Sequence, residues 1–347
     1  MEFKSLEISW IFETDLTNMN AGEGSSNLKE IKTYNNGLPY ISGQSMRHAL
    51  REAMKRENKD AFKCTPEYPC GDIKNCWTCD LFGYLLPGDG AKRWSPIKAA
   101  PALGQIREPI TTDLIFRMVE DIKCPECGER IYPLAAREKD KKEIKKETLL
   151  TCPKCGESFE APYDIRQALA YKQLIKNIYK TNLSIDIANI GVEEVPKINQ
   201  DGKLDGVEDL AGLSDEERLK RVKSIVNATY NLSDFANQSR EMVNASPDFV
   251  ILGLQKQYNH RLASVLKLNE KGEIIIEQFE SVINDALEME GTKIFAGLIK
   301  GIVTNEDDLI KSLNKLNEKV NFEYCDGPKD AFNKAITCLS GDNNESS

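Results

Sequence analysis

The sequence contains two identical cysteine motifs whose residue type and spacing are those of a metal site. They are Cys124-Pro-Glu-Cys127-Gly and Cys152-Pro-Lys-Cys155-Gly, and 24 residues separate them. Each CxxC turn directs two thiolates to one point, and the glycine that follows permits the tight turn. Four thiolates around one tetrahedral Zn²⁺ make a closed site with a structural role. We therefore predict one zinc bound by Cys124, Cys127, Cys152 and Cys155.

A second group of cysteines is spaced less regularly. Cys64, Cys70, Cys76 and Cys79 are separated by five, five and two residues. Thiolate ligands suit zinc and also iron–sulfur clusters. We predict a second zinc site here, with an iron–sulfur cluster and four unmetallated thiols as open alternatives.

A basic helix is predicted over residues 43–57. Its apolar residues fall on one helical stripe. They are Met46, Ala49, Leu50, Ala53 and Met54. The outward face carries Arg47, His48, Arg51, Lys55 and Arg56. Ser42 and Ser45 are N-cap residue types, and Gly43 allows a ligand close to the backbone. Such a helix start suits a phosphodiester. An ordinary helix with a solvated basic face remains the alternative.

The elements that must position these residues are both strands and helices. Alternating apolar residues predict a strand over residues 6–12. A long polar loop, a second strand and the basic helix follow, which is the order that opens a ferredoxin-like α+β domain. Further along, the patterns predict a helix over 164–180, a strand over 183–190, an acidic surface excursion over 199–217, a helix over 217–230 and a strand over 248–254.

Composition is that of a soluble globular protein. Of the 347 residues, 40% are hydrophobic and 29% are charged, enough for about two domains or one domain with insertions. The N-terminal residues include Glu2, Lys4 and Glu7, so we expect no signal peptide. No apolar run reaches the length of a membrane helix. We expect a cytoplasmic protein without a membrane partner, in which CxxC cysteines bind metal rather than form disulfides.

Charge is distributed unevenly along the chain. The net charge is −9, which argues against nonspecific nucleic-acid binding by the whole surface. Residues 191–347 hold 28 acidic and 18 basic residues, whereas residues 26–110 hold 13 basic and 9 acidic. The basic surface is therefore local and surrounds the basic helix. A protein that holds one nucleic-acid strand in a groove needs no more than that.

No catalytic arrangement is visible in the sequence. His48 and His260 are the only two histidines, and neither has a partner at triad or metal-ligand spacing. There is no phosphate-binding glycine motif, and no acidic pair lies in a basic context suited to two metal ions. We therefore predict that the protein is not an enzyme.

Several segments, in order, resemble the DevR-type backbone subunits of type I CRISPR surveillance (Cascade) complexes, members of the RAMP superfamily. The first four are TDLTNMNAGEG (14–24), KTYNNGLPYISGQSMRHALRE (32–52), CDLFGYL (79–85) and KRWSPIKAAPALG (92–104). Segments within 181–195 and 218–254 are also similar to the family's later elements. The resemblance covers most of residues 3–255, and it is specific because the motifs occur in the right order.

The resemblance implies an α+β fold with a ferredoxin-like, RNA-recognition-motif (RRM) palm that carries inserted finger and thumb segments. On this interpretation residues 1–122 and 162–340 form the palm, and residues 123–161 are an inserted zinc ribbon. The palm would contain the basic helix 43–57 and the cysteine-rich loop 64–79. Residues 341–347 are predicted to be a disordered tail.

The resemblance also implies partners and a role in antiviral defence. Copies of the subunit would stack along a CRISPR guide RNA (crRNA), contact other Cascade subunits, and present the guide for pairing with target DNA. The ribonucleoprotein would hold the guide by its backbone. The implied RNA-binding residues are Asn18, Asn20, Lys32, Ser42, Gly43, Gln44, Ser45, Arg47, His48, Arg51, Lys92, Arg93 and Arg240.

Two departures from the family pattern are visible. Relatives usually have a glycine-rich loop where this chain has residues 235–240, and many relatives lack the zinc ribbon. Two other functions remain open. One is a ribonuclease of the same superfamily, although the loop after the first strand offers Glu23 and Glu30 in place of the expected aspartate. The other is a zinc-ribbon scaffold protein.

Overall fold

The computed structural model describes residues 2–20, 28–86, 88, 91–117, 122–131, 143–144, 149–161, 165–166, 168–235 and 241–341. Arg240 and the predicted tail after Gly341 lie outside these residues. Within the described ranges, no helix has the length and apolar character needed to cross a membrane.

The described residues form six helices and 21 strands, numbered here in chain order. The helices are α1 (Gly43–Glu57), α2 (Trp77–Phe82), α3 (Asp215–Tyr230), α4 (Ile276–Leu287), α5 (Glu306–Leu316) and α6 (Pro328–Ser340). The strands are β1 (Ser5–Thr17), β2 (Leu28–Lys29), β3 (Thr33–Tyr34), β4 (Leu38–Ile41), β5 (Tyr84–Leu86), β6 (Ala91–Arg93), β7 (Ile97–Ala99), β8 (Ala102–Gly104), β9 (Thr111–Arg117), β10 (Ile122–Lys123), β11 (Arg130–Ile131), β12 (Glu143–Ile144), β13 (Leu149–Thr151), β14 (Ser158–Glu160), β15 (Ile165–Arg166), β16 (Ala168–Asp186), β17 (Val192–Ile198), β18 (Leu204–Ala211), β19 (Phe249–Gln255), β20 (Lys293–Leu298) and β21 (Phe322–Cys325). The mixed α+β class is therefore confirmed.

The chain divides into two compact units. The first contains Met1–Ala21, Ile31–Pro109 and Ile175–Ser347, and the second contains Gly22–Glu30 and Ile110–Leu174. The boundaries predicted for the ribbon, 123 and 161, fall inside the second unit. The basic helix and the cysteine-rich loop 64–79 belong to the first unit.

The sheet of the first unit is built around β1. Its strand order is β21-β20-β19-β1-β16-β8-β4-β3, with β7 also paired to β16. β1 is antiparallel to both neighbours, so that Ile8 lies opposite Leu183 on β16 and Leu252 on β19. The strand predicted over residues 6–12 is confirmed, but both of its faces are buried. Leu6, Ile8, Trp10 and Phe12 belong to one core cluster, and Ile11 belongs to the other.

Each core is completed by helices. The apolar stripes of α1, α3 and α6 pack in one core cluster with Leu6, Ile8 and Trp10. Helices α4 and α5 supply Phe279 and Leu313 to the other. The five residues predicted to form the buried stripe of α1 are all buried, as predicted, because their 3.6-residue periodicity leaves one face without charge.

The helix predicted over residues 164–180 is wrong, because β16 covers most of this range. Leu174, Ile175, Ile178 and Tyr179 have helix-like spacing, but the buried positions alternate from Ile175 to Leu183. Polar residues hide the period of two. Asn177 can be buried because both ends of its amide are hydrogen-bonded. Its Oδ1 accepts from Gln105 N–H at 3.0 Å, and its Nδ2 donates to the Ile106 carbonyl at 2.8 Å.

Two other predictions need correction in detail. The acidic surface excursion predicted over 199–217 contains regular structure, because residues 204–211 form β18, which pairs with β17 as an antiparallel hairpin. The strand predicted over 183–190 ends at Asp186, and a 3₁₀ turn follows at Ile187–Asn189. The predicted helix 217–230 and strand 248–254 are confirmed as α3 and β19 within two residues.

The second unit consists of short strand pairs. β9 pairs with residues 168–174 of β16, and β2 pairs with Tyr171 and Lys172. Three two-residue or three-residue ladders join β10 to β11, β12 to β15, and β13 to β14. Its one described apolar cluster is small and consists of Ile122 and Ala161 with Leu150 and Phe159 packed against them.

Candidate metal centres and nucleic-acid interface

The four cysteines of the 64–79 loop converge in the first unit. Cys64 Sγ lies 3.4 Å from Cys76 Sγ and 3.5 Å from Cys79 Sγ, and Cys70 Sγ lies 3.7 Å from Cys79 Sγ. Cys76 is the N-cap of α2, and Cys79 lies in its first turn. Against desolvation by burial, hydrogen bonds from the Cys79 N–H and from Cys64 lower the pKa of Cys76 to about 7, whereas burial raises the pKa of Cys79. The irregular spacing in sequence thus closes into one four-sulfur group.

These distances fit a single tetrahedral ion. Zn–S bonds of about 2.3 Å place the sulfurs of a tetrahedron about 3.8 Å apart. A disulfide would need about 2.05 Å, and all ten cysteines are free thiols. In an iron–sulfur cluster the thiolates bind different irons, so four sulfurs in mutual contact suit a mononuclear site better.

The two CxxC knuckles converge in the second unit. Cys124 Sγ lies 3.6 Å from Cys155 Sγ, and Cys127 Sγ lies 3.6 Å from Cys152 Sγ. The four ligand atoms of each cluster all lie within 4.8 Å of one another. The predicted pairing of the two motifs at one point is therefore confirmed, and the arrangement can hold a metal ion.

The knuckles are built as their sequence predicts. Gly128 and Gly156 have φ of +68° and +76°, a region that favours glycine. The N–H of each glycine donates to the carbonyl of the first cysteine in its motif, at 3.0 Å in both. Backbone N–H groups of Cys155 and Lys154 also lower the pKa of Cys152 to about 7, against its desolvation. Such a thiol ionises readily when a cation binds.

A buried ion-pair network lies directly after the first cysteine cluster. Asp80, one residue after Cys79, is fully buried, and its Oδ1 accepts a bond from Arg93 Nη2 at 2.5 Å. Its Oδ2 accepts from Arg221 Nη1 at 2.5 Å, and Gly191 N–H donates to Oδ1 at 2.9 Å. Arg221 is 1% exposed. The network thus joins α2, β6 and α3 around one carboxylate.

Sequence reasoning missed Asp80 and Arg221. Arg221 lies on the helix predicted over 217–230, where an arginine is ordinarily solvated. Its guanidinium also donates to the carbonyls of Ile73 and Lys74, at 2.9 and 2.6 Å. One signal is present in the sequence, since Asp80 lies between Cys79 and the apolar pair Leu81-Phe82, and a carboxylate that is buried among such residues needs a cation.

The start of α1 is held by a polar cluster that includes four of the predicted RNA-binding residues. Ser42 is the N-cap, and its Oγ accepts from Ser45 N–H at 3.2 Å. Asn20 Oδ1 accepts from Ser42 N–H at 2.9 Å, and Ser45 Oγ donates to Met19 carbonyl at 2.6 Å. Asn18 Oδ1 accepts from Asn20 N–H at 3.2 Å. These side chains fix the end of β1 to the helix start.

Gly43 and Gln44 occupy the first turn of α1. A Cβ on Gly43 would lie 3.0 Å from the Ala99 carbonyl oxygen, so glycine here allows close packing against β7. Gln44 is exposed, as is His48 one turn later. Among the described residues, no acceptor bonds the N–H groups of Gly43 and Gln44, as is usual at a helix start.

Arg47 lies on the same helix but its guanidinium is used inside the protein. Nη1 donates to Ile97 carbonyl at 2.7 Å, and Nη2 donates to Phe82 carbonyl at 2.9 Å. Its cation also lies 5.6 Å from the centre of the Phe82 ring. Burial, with the nearby charge of Arg51, lowers its pKa. Arg47 therefore ties α1 to α2 and β7.

Arg51 and His48 form a pair on the outward side of α1. Arg51 Nη2 lies 2.9 Å from His48 Nδ1, and Arg51 Nε donates to Glu52 at 3.4 Å. All three partners lie within one turn of the same helix. His48 is exposed, whereas the Arg51 side chain is 18% exposed. The bonds of this pair stay within α1.

The other predicted RNA-binding residues differ in exposure. Lys32 and Lys92 are exposed, and Lys92 Nζ lies 5.9 Å from the centre of the Trp94 ring. Arg93 belongs to the buried network around Asp80 and also donates to Asn189 carbonyl at 2.8 Å. Arg240 lies outside the described residues.

Comparisons with known proteins give a result at the level of the fold. No protein-family model matches the sequence, and no curated protein matches it. A solved chain of a "CRISPR RNA-guided surveillance complex" superposes with a TM-score of 0.51 and 10% identity, covering 96% of this chain and 99% of that chain. A chain of a "CRISPR RNA-guided surveillance complex, pre-nicking" gives 0.54 and 9%, covering 96% and 100%. Over almost its whole length, this chain therefore has the fold of a chain found in CRISPR RNA-guided surveillance complexes.

Proposed function

We propose that this protein is a guide-RNA-binding backbone subunit of a type I CRISPR surveillance complex of the Cascade kind. The observation that carries the proposal is the coverage of the fold similarity, which takes in 96% of this chain and nearly all of each solved chain. A shared α+β core alone would leave the insertions unmatched. The ordered motifs in residues 14–104 support the same family.

The RNA-binding surface that we propose contains fewer residues than the sequence predicted. Gln44, His48 and Arg51 carry an amide, an imidazole and a guanidinium along the first three turns of α1, whose first turn also carries N–H groups with no acceptor among the described residues. Lys32 and Lys92 add exposed amino groups in the same unit. This combination binds phosphates and carries no base code, as expected of a subunit that grips a guide by its backbone.

The remaining predicted residues have a supporting role in this proposal. Asn18, Asn20, Ser42 and Ser45 hold the loop after β1 against the helix start, and Arg47 holds the helix to β7. They keep the phosphate-binding groups in one geometry. The palm is proposed to be RRM-like, copies of the subunit to stack along one RNA, and the chain to be non-catalytic.

Both four-cysteine clusters are proposed to hold structural zinc. Four thiolates leave no coordination position for a substrate or water, so the ion would supply folding energy. The knuckle module has the greater need, because Ile122 and Ala161 with two partners are its only described apolar cluster. The 64–79 cluster would fix α2, whose Phe82 carbonyl accepts a hydrogen bond from Arg47.

The test is co-expression of the full chain with a CRISPR array, followed by sequencing of bound RNA and measurement of zinc. We expect a multi-copy particle with uniform repeat–spacer RNA and two zinc ions per chain. A monomer that contains zinc and no RNA would overturn the proposal and favour a scaffold protein.

A paired variant tests the proposed surface. Arg51→Gln with His48→Ala is expected to weaken RNA binding and to lower its salt dependence, by about 0.7 in log–log slope for each phosphate that is no longer bound. Lys311→Gln is the control, since it removes one exposed cation from α5. Equal RNA binding by the two variants would contradict the assignment of this helix face.

A further inference from the structure

A tryptophan is presented to solvent one residue after β6. Trp94 is 78% exposed, whereas Trp10 and Trp77 are 2% and 3% exposed. Leu85, on the neighbouring strand β5, is 62% exposed and lies directly opposite Lys92. Successive residues of a strand alternate in direction, so Leu85, Lys92 and Trp94 lie on one face of the hairpin.

The other face of this hairpin is fixed to the protein. Arg93 is bound to the buried Asp80 and to the carbonyl of Asn189. A Cβ on Gly83 would lie 2.6 Å from Arg93 carbonyl oxygen, so the chain before β5 touches the end of β6. Ser95, next to Trp94, lies 2.7 Å from Leu81 carbonyl through its Oγ. The residues on both sides of Trp94 are therefore bonded to the rest of the protein, while its ring is exposed.

Two exposed lysines lie close to Trp94 in sequence. Lys92 Nζ lies 5.9 Å from the ring centre, within cation–π range, and among the described residues no carboxylate pairs with it. Lys98 is exposed and donates to Ser95 carbonyl at 2.6 Å. Arg47 Nη1 donates to Ser95 Oγ at 3.2 Å, so the residue after Trp94 is hydrogen-bonded to α1.

We propose that Trp94 stacks against a nucleobase of the bound single strand while Lys92 contacts its phosphate. An indole and one leucine offer about 200–400 Å² of apolar area, below the roughly 800 Å² per partner of a stable protein interface. One ring beside two exposed lysines matches the size and charge of a nucleotide. This inference rests on the proposed RNA binding and adds a base contact to it.

The experiment uses the full chain, a labelled oligouridylate, and the same oligonucleotide with abasic ribose units, at one salt concentration. Stacking contributes about 1–3 kcal/mol per base. Trp94→Ala is therefore expected to bind the oligouridylate about 5- to 150-fold more weakly and the abasic strand as tightly as the unaltered chain does. Trp94→Phe is expected to retain most of the affinity, and Trp94→Leu little.

Tryptophan emission gives a second readout, because Trp94 is the exposed one of the three. Oligouridylate is expected to quench it, and abasic strand is not. Equal affinities of Trp94→Ala and the unaltered chain for both strands would overturn the inference, as would rescue by Leu equal to that by Phe. Unchanged RNA affinity with reduced self-association of Trp94→Ala would assign the ring to a protein contact. Failure of the unaltered chain to bind either strand would overturn the proposed function itself.

Discussion

Replacing Glu7 by glutamine is expected to stabilise the protein above neutral pH and to change it little in acid. Glu7 lies on β1 and is 1% exposed. Leu262 N–H donates to its Oε2 at 3.0 Å, and among the described residues Oε1 has no hydrogen-bond partner. Desolvation by burial, partly offset by the Leu262 bond, raises the pKa of Glu7 from 4.5 to about 7.

The sign follows from the proton that the folded state retains. Below pH 4.5 the carboxyl is neutral in both states and folding is not penalised. Between pH 4.5 and about 7 the unfolded chain ionises while the folded protein holds its proton, so the free energy of unfolding falls as pH rises. Above pH 7 the loss is complete and amounts to about 3 kcal/mol. Glutamine cannot ionise and avoids it.

The assay is urea unfolding of both chains at several pH values, followed by far-ultraviolet circular dichroism and tryptophan fluorescence. The quantity compared is the difference in unfolding free energy between the two chains, because other groups titrate in the same range. We expect the difference to be near zero at pH 4.5, to grow through pH 7, and to reach about 3 kcal/mol at pH 8.

Glu13→Gln is the matched control, because Glu13 is on the same strand but its side chain is 42% exposed. It is expected to show no such growth in the difference. A constant difference between Glu7→Gln and the unaltered chain from pH 4.5 to 8 would refute the reasoning. It would mean that Glu7 ionises over the same pH range in the folded protein as in the unfolded chain.

Four further substitutions test the supports of the candidate site. Asp80→Asn is expected to cost about 3–5 kcal/mol in urea unfolding, because the buried guanidinium of Arg221 and the largely buried one of Arg93 lose their carboxylate. Gly83→Ala is expected to cost about 2 kcal/mol or more, since φ is +73° and the new Cβ would meet the Arg93 carbonyl oxygen. Cys79→Ser and Cys152→Ser are each expected to lose one zinc per chain by metal analysis. Only Cys79→Ser is expected to reduce RNA retention, because α2 supports the basic helix; equal RNA loss in both would contradict this division.

Local periodicity was enough to predict α1, α3, β1 and β19. In each, apolar residues recur at 3.6 or 2 positions, and most charged residues keep to the exposed positions, although Arg221 on α3 and Glu7 on β1 are buried. β16 was missed because its buried side includes Asn177 and Thr181, whose partners lie on a distant part of the chain. Asn177 bonds Gln105 and Ile106, and Thr181 Oγ1 donates to Ala100 carbonyl at 3.2 Å. No local pattern records such partners.

The metal sites and the basic helix show the same limit at the level of the site. The two cysteines of each knuckle are close in sequence, so the spacing within each motif was enough to predict that they converge. Arg47 and Arg51 are alike in the sequence of the helix, and neighbouring elements decide that Arg47 bonds to α2 and β7 while Arg51 bonds to residues of its own helix. Arg93 is likewise basic in sequence but is neutralised by Asp80, a residue that sequence reasoning did not single out.

The sequence by itself determined the α+β class, the buried stripe of α1, the two four-cysteine groups and the local basic charge. These follow from residue type and short-range spacing, which act within a few turns of chain. Only the tertiary structure decided which basic side chains are taken up by bonds inside the protein. The groups that form those bonds lie on elements as far apart in sequence as residues 47, 80 and 221. It also decided that Trp94 remains exposed, since burial of a side chain depends on what the rest of the fold brings against it.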